Sequence, residues 1–142
     1  MTPSSSPIFH SIQTALAGDA EAISELDTQL FPDNCFNSKT IEKEIAVSKA
    51  FVRYKAGKLI GYILSRWDGY ILDITRIGVH PDFQGRKLGT ALLSMVLDDR
   101  PAMLHVNKHN QRARQLYQRQ GFEVVANTTD SWVMIRPRTS QT

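Results

Sequence analysis

The 142-residue chain carries a formal charge of +3 and is 42% hydrophobic and 22% charged, which is typical of one globular domain. Its single cysteine, Cys35, excludes an internal disulfide and a cysteine-based zinc site, and we expect it to be a small, partly buried residue. No apolar run approaches the roughly 20 residues of a membrane helix, and residues 1–7 lack the features of a secretory signal. We therefore expect a cytoplasmic protein with no membrane partner, a flexible lead-in at 1–7, one domain at 8–136 and a tail at 137–142.

The N-terminal half of the chain is typical of one strand, two helices and three further strands. Three apolar residues indicate the first strand: Ile8, Phe9 and Ile12. Asp19 resembles a helix N-cap, and either Asn37 or Ser38 caps the second helix. Strands are then predicted at 50–54, 59–67 and 70–79, and the Asp-Gly pair at 68–69 is a strong hairpin signal. Strands joined by such tight turns run antiparallel.

The C-terminal half alternates helices and strands. After a polar, glycine-containing loop at 82–87, the apolar spacing predicts a helix over 88–97, a short buried strand over 103–106 and a helix over about 110–120. Gly121 is expected in the left-handed conformation that ends a helix. Two last strands follow at 122–125 and 132–135. The strand–helix–strand unit from 70 to 106 predicts two parallel strands in a mixed sheet.

The loop before the helix at 88 has the features of an anion site. A helix N-terminus has unpaired amides and a partial positive charge, so it attracts phosphate. Gly85 and Gly89 leave room for close approach of an anion, and Arg86 and Lys87 add charge. The loop matches neither G-x-x-x-x-G-K-[ST] nor G-x-G-x-x-G. By itself it is therefore either an anion-binding loop or an ordinary strand–helix connection.

Two motifs together indicate a family. Residues 84–89 (QGRKLG) resemble the acetyl-CoA motif Q/R-x-x-G-x-G/A of the GNAT superfamily of N-acetyltransferases. Residues 104–122 resemble that family's second signature, L-x-V-x-x-x-N-x-x-A-x-x-L-Y-x-x-x-G-F, at every fixed position. The first motif has Lys87 at the usual middle glycine, where a side chain is acceptable if the backbone stays helical; this departure concerns the geometry of the loop more than the family assignment. Within the family, the chain is similar to protein N-terminal acetyltransferases, including those that modify ribosomal-protein alanine.

The resemblance implies an α/β (α+β) GNAT fold, in which a central mixed, mostly antiparallel sheet is splayed in the middle and flanked by about four helices. It also implies acetyl-CoA as co-substrate, an amine acceptor, no metal and no nucleic acid, in a monomer or homodimer. Main-chain groups of Ile77 and Val79 would hold the pantetheine arm, with Gly78 as a bulge residue between them. The implied coenzyme-binding residues are Ile77, Gly78, Val79, Gln84, Gly85, Arg86, Lys87, Leu88, Gly89, Thr90, Asn110 and Tyr117.

Two residues are candidates for proton transfer. In the resembling enzymes a neutral amine attacks the thioester directly, so the amine loses a proton and the thiolate gains one. Tyr117, which in the family sits near the thioester sulfur, is the candidate general acid, since a hydroxyl with a pKa near 10 can donate to the departing sulfur. His105 stands where ribosomal-protein acetyltransferases carry a glutamate, and a histidine with its ordinary pKa near 6.5 is either the base or a packed strand residue.

The acceptor follows less directly from the sequence. The family places acceptor specificity between the first two helices, where residues 30–36 contain a Phe-Pro pair similar to that of protein N-terminal acetyltransferases. This favours a peptide or protein N-terminal amine, with a small amine (polyamine, aminoglycoside or amino acid) as the alternative. Three carboxylates are candidates for holding a cationic amine: Asp33, Asp73 and Asp130.

Two other classes of function compete with an enzyme. A non-catalytic acyl-CoA-binding domain need not keep Tyr117, so that tyrosine argues against it. A nucleic-acid-binding module would use the arginines at 112, 114, 119, 136 and 138, which we interpret instead as a solvated helix face and a tail.

Overall fold

A computed structural model of the chain describes residues 11–139 and contains a seven-stranded sheet in the order β1-β2-β3-β4-β5-β7-β6. The strands are β1 (Ile12–Thr14), β2 (Lys49–Lys55), β3 (Lys58–Trp67), β4 (Leu72–Val79), β5 (Ala102–Asn107), β6 (Glu123–Asn127) and β7 (Ser131–Arg136). The helices are α1 (Ala20–Leu30), α2 (Ser38–Val47), α3 (Leu88–Val96) and α4 (Gln111–Arg119), with 3-10 turns at Ala17–Asp19 and Pro81–Phe83.

The predicted order of elements is confirmed, and so is the mixed sheet. All neighbouring strands run antiparallel except β4 and β5, which the helix α3 connects in parallel. Ile12 begins β1, whereas Ile8 and Phe9 lie outside the described residues. Gly121 follows α4 with a φ of 96°, as the glycine after that helix predicts. Within residues 11–139, none of the helices is both long and apolar enough to cross a membrane.

The predicted N-cap residues occupy the N-cap positions of α1 and α2, but only one of them caps its helix with its side chain. Asn37 caps α2 by accepting a hydrogen bond from the amide of Thr40 at 2.8 Å. Asp19 occupies the N-cap position of α1, yet its carboxylate accepts from the amide of Leu16 and from the hydroxyl of Tyr54, both at 2.8 Å. A 3-10 turn precedes α1 and brings Leu16 within reach, so Asp19 stabilises that turn and not the first turn of the α-helix.

The sheet separates two apolar clusters. One lies under α3 and α4 and includes the fully buried Leu92 and Met134. The other lies under α1 and α2 and includes Ile23, Ile41 and Tyr62, also fully buried. Because side chains of a strand alternate between faces, each position of β4 and β5 belongs to one of these two sides.

A bulge in β4 changes this alternation. The pairing with β3 runs from Leu64 opposite Arg76 to Ser65 opposite Ile74, so Thr75 is the additional residue. The expected bulge at Gly78 is therefore wrong, since Gly78 pairs in regular register with Tyr62. Gly78 is required for another reason: a β-carbon there would lie 2.5 Å from the ring of Tyr62.

Candidate active site

The sheet opens between β4 and β5. Only three residue pairs join these strands, Leu72 with Ala102, Asp73 with Met103 and Ile74 with Leu104. The remainder of β4 continues to Val79, and the remainder of β5 pairs only with β7. The bulge at Thr75 stands where the pairing ends, and such bulges bend and twist a strand. The result is the splayed sheet that the resemblance predicts.

The open edge of β4 exposes main-chain polar groups. The amide of His80 donates to the carbonyl of Ile60 on β3 at 2.8 Å. Because main-chain groups of successive strand residues point to opposite edges, Val79 and Ile77 direct theirs into the opening. The side-chain amide of Gln84 already donates to the carbonyl of Val79 at 3.0 Å. These positions agree with the expectation that the edge can bind an extended ligand like an added strand.

The loop that follows β4 leads directly into a helix N-terminus. His80 caps a 3-10 turn, accepting from the amide of Asp82 at 3.1 Å. Gly85 then has a φ of 79°. The amide of Ala91 is the first to join the helical ladder, donating to the carbonyl of Lys87 at 3.0 Å, so the amides of residues 88–90 have no acceptor within α3. These amides and the positive end of the helix form an anion-binding surface.

Lys87 adopts a left-handed backbone conformation, with φ 67° and ψ 13°. The backbone at this position is therefore not right-handed helical, and the loop departs from the usual geometry here, as the substitution of its middle glycine suggested. The chain must reverse sharply between the 3-10 turn and the N-terminus of α3, and that reversal uses positive φ at Gly85 and again at Lys87. Glycine adopts such angles without steric cost, whereas a residue with a β-carbon adopts them at a steric cost.

Gly89 and Leu88 have different surroundings on the first turn of α3. A β-carbon at Gly89 would lie 3.1 Å from Leu116 of α4 and 4.0 Å from Val79 of β4, so the small residue allows the two helices and the strand to meet closely. The side chain of Leu88 is buried in the apolar core, which leaves only its main-chain amide for a ligand. Thr90 is partly buried beside it, and Arg86 is exposed with its guanidinium 5.3 Å from the ring of Phe83.

Arg112 is a residue of this loop region that sequence reasoning missed. Arg112 is exposed, in agreement with a solvated helix face, and its Nη2 also lies 2.7 Å from the position that a β-carbon of Gly85 would occupy. The first turn of α4 therefore brings a third cation to a loop that already contains Arg86 and Lys87. The sequence feature that could have identified Arg112 is its position two residues after Asn110, on the first turn of the helix that borders the opening.

The two residues of the second signature are placed by α4. Asn110 is its N-cap and accepts from the amide of Ala113 at 3.1 Å. Tyr117 lies two turns further on, is only 6% exposed, and packs edge-on against Phe122 with ring centroids 6.0 Å apart. Burial raises the pKa of the Tyr117 hydroxyl, so the group stays protonated near neutral pH.

His105 lies on the opposite side of the opening from Tyr117. It is the first residue of β5 beyond the last pair with β4 and is exposed. Asp73 pairs with Met103, two residues before His105, so the side chains of Asp73 and His105 point to the same face. Arg66 pairs with Asp73 and forms an ion pair with Glu44 of α2, which identifies this as the α1 and α2 side. Tyr117 belongs to the cluster under α3 and α4.

Asp73 is a half-buried carboxylate beside His105. Desolvation raises its pKa, and the nearby His105 and Arg66 act in the opposite direction. The two other candidate carboxylates, Asp33 and Asp130, are exposed. Of the three candidates for holding a cationic amine, Asp73 is thus the one next to the opening.

Several other expectations are corrected by the structure. Cys35 is exposed and not partly buried, because it lies at the tip of the segment between α1 and α2. Arg114 is partly buried and not fully solvated, and its guanidinium lies 4.2 Å from the ring of Trp132. Arg136 is part of β7 and donates to the carbonyls of Gln120 and Asp98, each at 3.0 Å, so it ties the end of α4 to the sheet.

Comparison with known proteins agrees with this geometry. The pattern of the acetyltransferase (GNAT) family matches residues 19–122, which is more than half of the chain. The chain is 31% identical over 135 residues to the N-alpha-acetyltransferase RimI of Mycobacterium tuberculosis, covering 88% of this chain and 84% of that protein.

Two solved structures extend the comparison to the fold. The ribosomal-protein-S18-alanine N-acetyltransferase of Escherichia coli superposes with a TM-score of 0.78 at 22% identity, covering 92% of this chain and 95% of that one. Arabidopsis thaliana Naa50, in complex with the bisubstrate analogue CoA-Ac-MVNAL, superposes with a TM-score of 0.72 at 25% identity, covering 88% and 97%. The splayed sheet, the amide-lined loop and the family match lead to one conclusion: the chain belongs to the acetyltransferase (GNAT) family and is an N-acetyltransferase.

Proposed function

We propose that the chain transfers acetyl from acetyl-CoA to the N-terminal amine of a peptide or protein. The observation that carries this proposal is the placement of His105 and Tyr117 on opposite faces of the sheet, at the point where β4 and β5 separate. The similarity to RimI and to Naa50, which was solved with a peptide-containing analogue, supports a peptide acceptor.

The coenzyme would be held by the loop and the open strand edge. The amides at 88–90 suit the pyrophosphate, and the cations Arg86, Lys87 and Arg112 add charge around it. The main-chain groups of Ile77 and Val79 suit the amide-containing arm. Asn110 borders the same opening from the start of α4. Acetyl-CoA, when bound there, supplies the thioester that the amine attacks.

The two proton-transfer roles follow from the opposite placement. On the α1 and α2 side, His105 accepts the proton that the attacking amine loses as the new C–N bond forms. On the α3 and α4 side, Tyr117 donates its hydroxyl proton to the thiolate as the C–S bond breaks. Asp73 attracts the ammonium form of the acceptor toward His105. An α-amine with a pKa near 8 needs only a modest base, which a histidine is.

The test is a comparison of kcat/KM among acceptors. We expect turnover of peptides that begin with Ala or with Met, little turnover of the same peptides when N-terminally blocked and carrying a lysine, and little with spermidine. Activity confined to spermidine or another small amine would contradict the peptide proposal and leave the family assignment intact.

Tyr117→Phe tests the acid role. Because general acid–base groups typically contribute about a hundredfold or more, kcat should fall by that order while acetyl-CoA binding changes little. Tyr70→Phe is the matched control, since Tyr70 is 85% exposed and lies in the turn between β3 and β4. Equal turnover in Tyr117→Phe and Tyr70→Phe would show that Tyr117 only packs.

A further inference from the structure

The segment 31–37 between α1 and α2 is held against β4 by the side chain of Arg76. The guanidinium carbon lies 4.3 Å from the ring centroid of Phe31 and 4.3 Å from that of Phe36. Phe31 directly follows α1, and Phe36 lies two residues before α2. One guanidinium therefore contacts both ends of the segment.

Polar contacts surround the same guanidinium. Its Nη2 donates to the carbonyl of Asn34 at 2.7 Å. Its Nε lies 3.1 Å from Oδ1 of the fully buried Asp27, at an angle that makes this an ion pair and not a hydrogen bond. The second oxygen of Asp27 accepts from the amide of Phe36 at 2.8 Å, and Tyr62 donates its hydroxyl to the first. The buried carboxylate is thus compensated by contacts that also fix the segment.

The bulge in β4 is the reason that Arg76 reaches this segment. Thr75 donates its hydroxyl to the carbonyl of Leu64 at 3.1 Å and lies near Glu44, so it faces α2. In a regular strand the next residue would face α3. Because Thr75 is the additional residue of the bulge, Arg76 lies on the same side of the sheet as Thr75, which is the side of α1 and α2. Ile77 then faces the α3 side again.

We infer that Arg76 is a positioning residue for the acceptor: it sets the separation between segment 31–37 and the open edge of β4 that begins at Ile77. This inference rests on the proposed function and on the expectation for residues 30–36 that the segment between the first two helices contributes to acceptor specificity. An arginine is needed because its planar guanidinium can contact two rings while donating hydrogen bonds in its plane. A lysine keeps the charge beside Asp27 but cannot make these contacts together.

The experiment compares Arg76→Lys with the wild type in acceptor kinetics, acetyl-CoA binding and hydrogen exchange. We expect KM for the acceptor peptide to rise about tenfold, a change that corresponds to about 1.4 kcal/mol. The dissociation constant of acetyl-CoA should change less than about twofold, since the contacts of Arg76 lie on the acceptor side. The amides of 31–37, Phe36 in particular, should exchange faster. Phe31→Leu removes one ring but keeps the arginine beside Asp27, and it should give a smaller change in the same direction.

Arg100→Lys is the matched control. Arg100 also lies 4.2 Å from an aromatic ring, that of Trp67, and pairs with Asp98 at 2.8 Å, away from segment 31–37. Its acceptor KM should stay at the wild-type value. An unchanged acceptor KM in both Arg76→Lys and Phe31→Leu would overturn the inference. So would a parallel loss of acceptor and acetyl-CoA affinity, because that would indicate general destabilisation.

Failure of the proposed function has a different signature. It would appear in the wild type, as turnover of a small amine in place of peptides. The Arg76→Lys comparison is then made with that amine as the acceptor. A rise in the KM for that amine would support the inference, and an unchanged KM in both Arg76→Lys and Phe31→Leu would overturn it.

Discussion

Replacing Lys87 by glycine should stabilise the protein. A non-glycine residue in the left-handed region costs about 1–2 kcal/mol, and the φ of 67° places Lys87 there. Glycine removes that cost but loses about 0.5–1 kcal/mol through the greater freedom of the unfolded chain. The net gain lies between about 0 and 1.5 kcal/mol with a centre of about 0.75 kcal/mol, and at that centre we expect the Tm of a chain of this length to rise by about 2–3 °C.

Thermal unfolding of three variants separates backbone strain from charge. Lys87→Ala removes the ammonium but keeps a β-carbon, so it should not gain the stability of Lys87→Gly. Ala56→Gly is a matched control, because Ala56 is the other described non-glycine residue with positive φ, at 51°, in the turn between β2 and β3. It should stabilise by a similar amount with no effect on acetyl-CoA binding. If Lys87→Gly is no more stable than Lys87→Ala, the strain argument is wrong.

Three further substitutions test particular contacts. Gly78→Ala should lower the free energy of unfolding by about 1–3 kcal/mol, because the new β-carbon would lie 2.5 Å from the ring of Tyr62. Gly18→Ala is the control, since nothing lies within 4 Å of a β-carbon there. Equal unfolding midpoints for the two variants would contradict the predicted steric conflict at Gly78. Asp73→Asn should raise Tm near neutral pH, because a carboxyl whose pKa is raised by folding destabilises the folded state when it is ionised. Below the ordinary pKa of 3.8 the carboxyl is protonated in both the folded and the unfolded state, so the difference in Tm should vanish there. A difference in Tm that does not depend on pH would refute this explanation. Gly89→Glu should abolish the increase in Tm caused by acetyl-CoA. An increase equal to that of the wild type would contradict the proposal that the loop at 84–89 binds acetyl-CoA.

The order of the elements and the two binding motifs were predictable from the sequence, because they depend on local patterns. Apolar spacing and turn residues predicted all the strands and helices within residues 11–139, including the parallel pair β4 and β5. Through the family resemblance, and not through local patterns, the two signatures implied that the loop at 84–89 and the helix carrying Tyr117 border one opening. Local preferences of this kind act over a few residues and need no knowledge of distant contacts.

Long-range constraints decided the backbone conformation at two positions. Gly78 looked like the bulge residue because glycine is common in bulges, whereas the bulge falls at Thr75 and Gly78 accommodates Tyr62 from the next strand. Lys87 looked compatible with a helical conformation, but the chain reversal before α3 imposes positive φ. In both cases a long-range constraint overrides the preference of the residue itself.

Tertiary structure alone decided which side chains meet across the sheet. A single additional residue in β4 exchanges the faces of every side chain after it, so the contact of Arg76 with Phe31 and Phe36 cannot be read from alternation along the strand. In the same way Arg112 lies beside Gly85 although the two residues are far apart in the chain, so their proximity cannot be read from either motif alone. The sequence determined the elements and the residue types of the loop at 84–89, since both are local. Register and packing between elements determined the rest, since they join residues far apart in the chain.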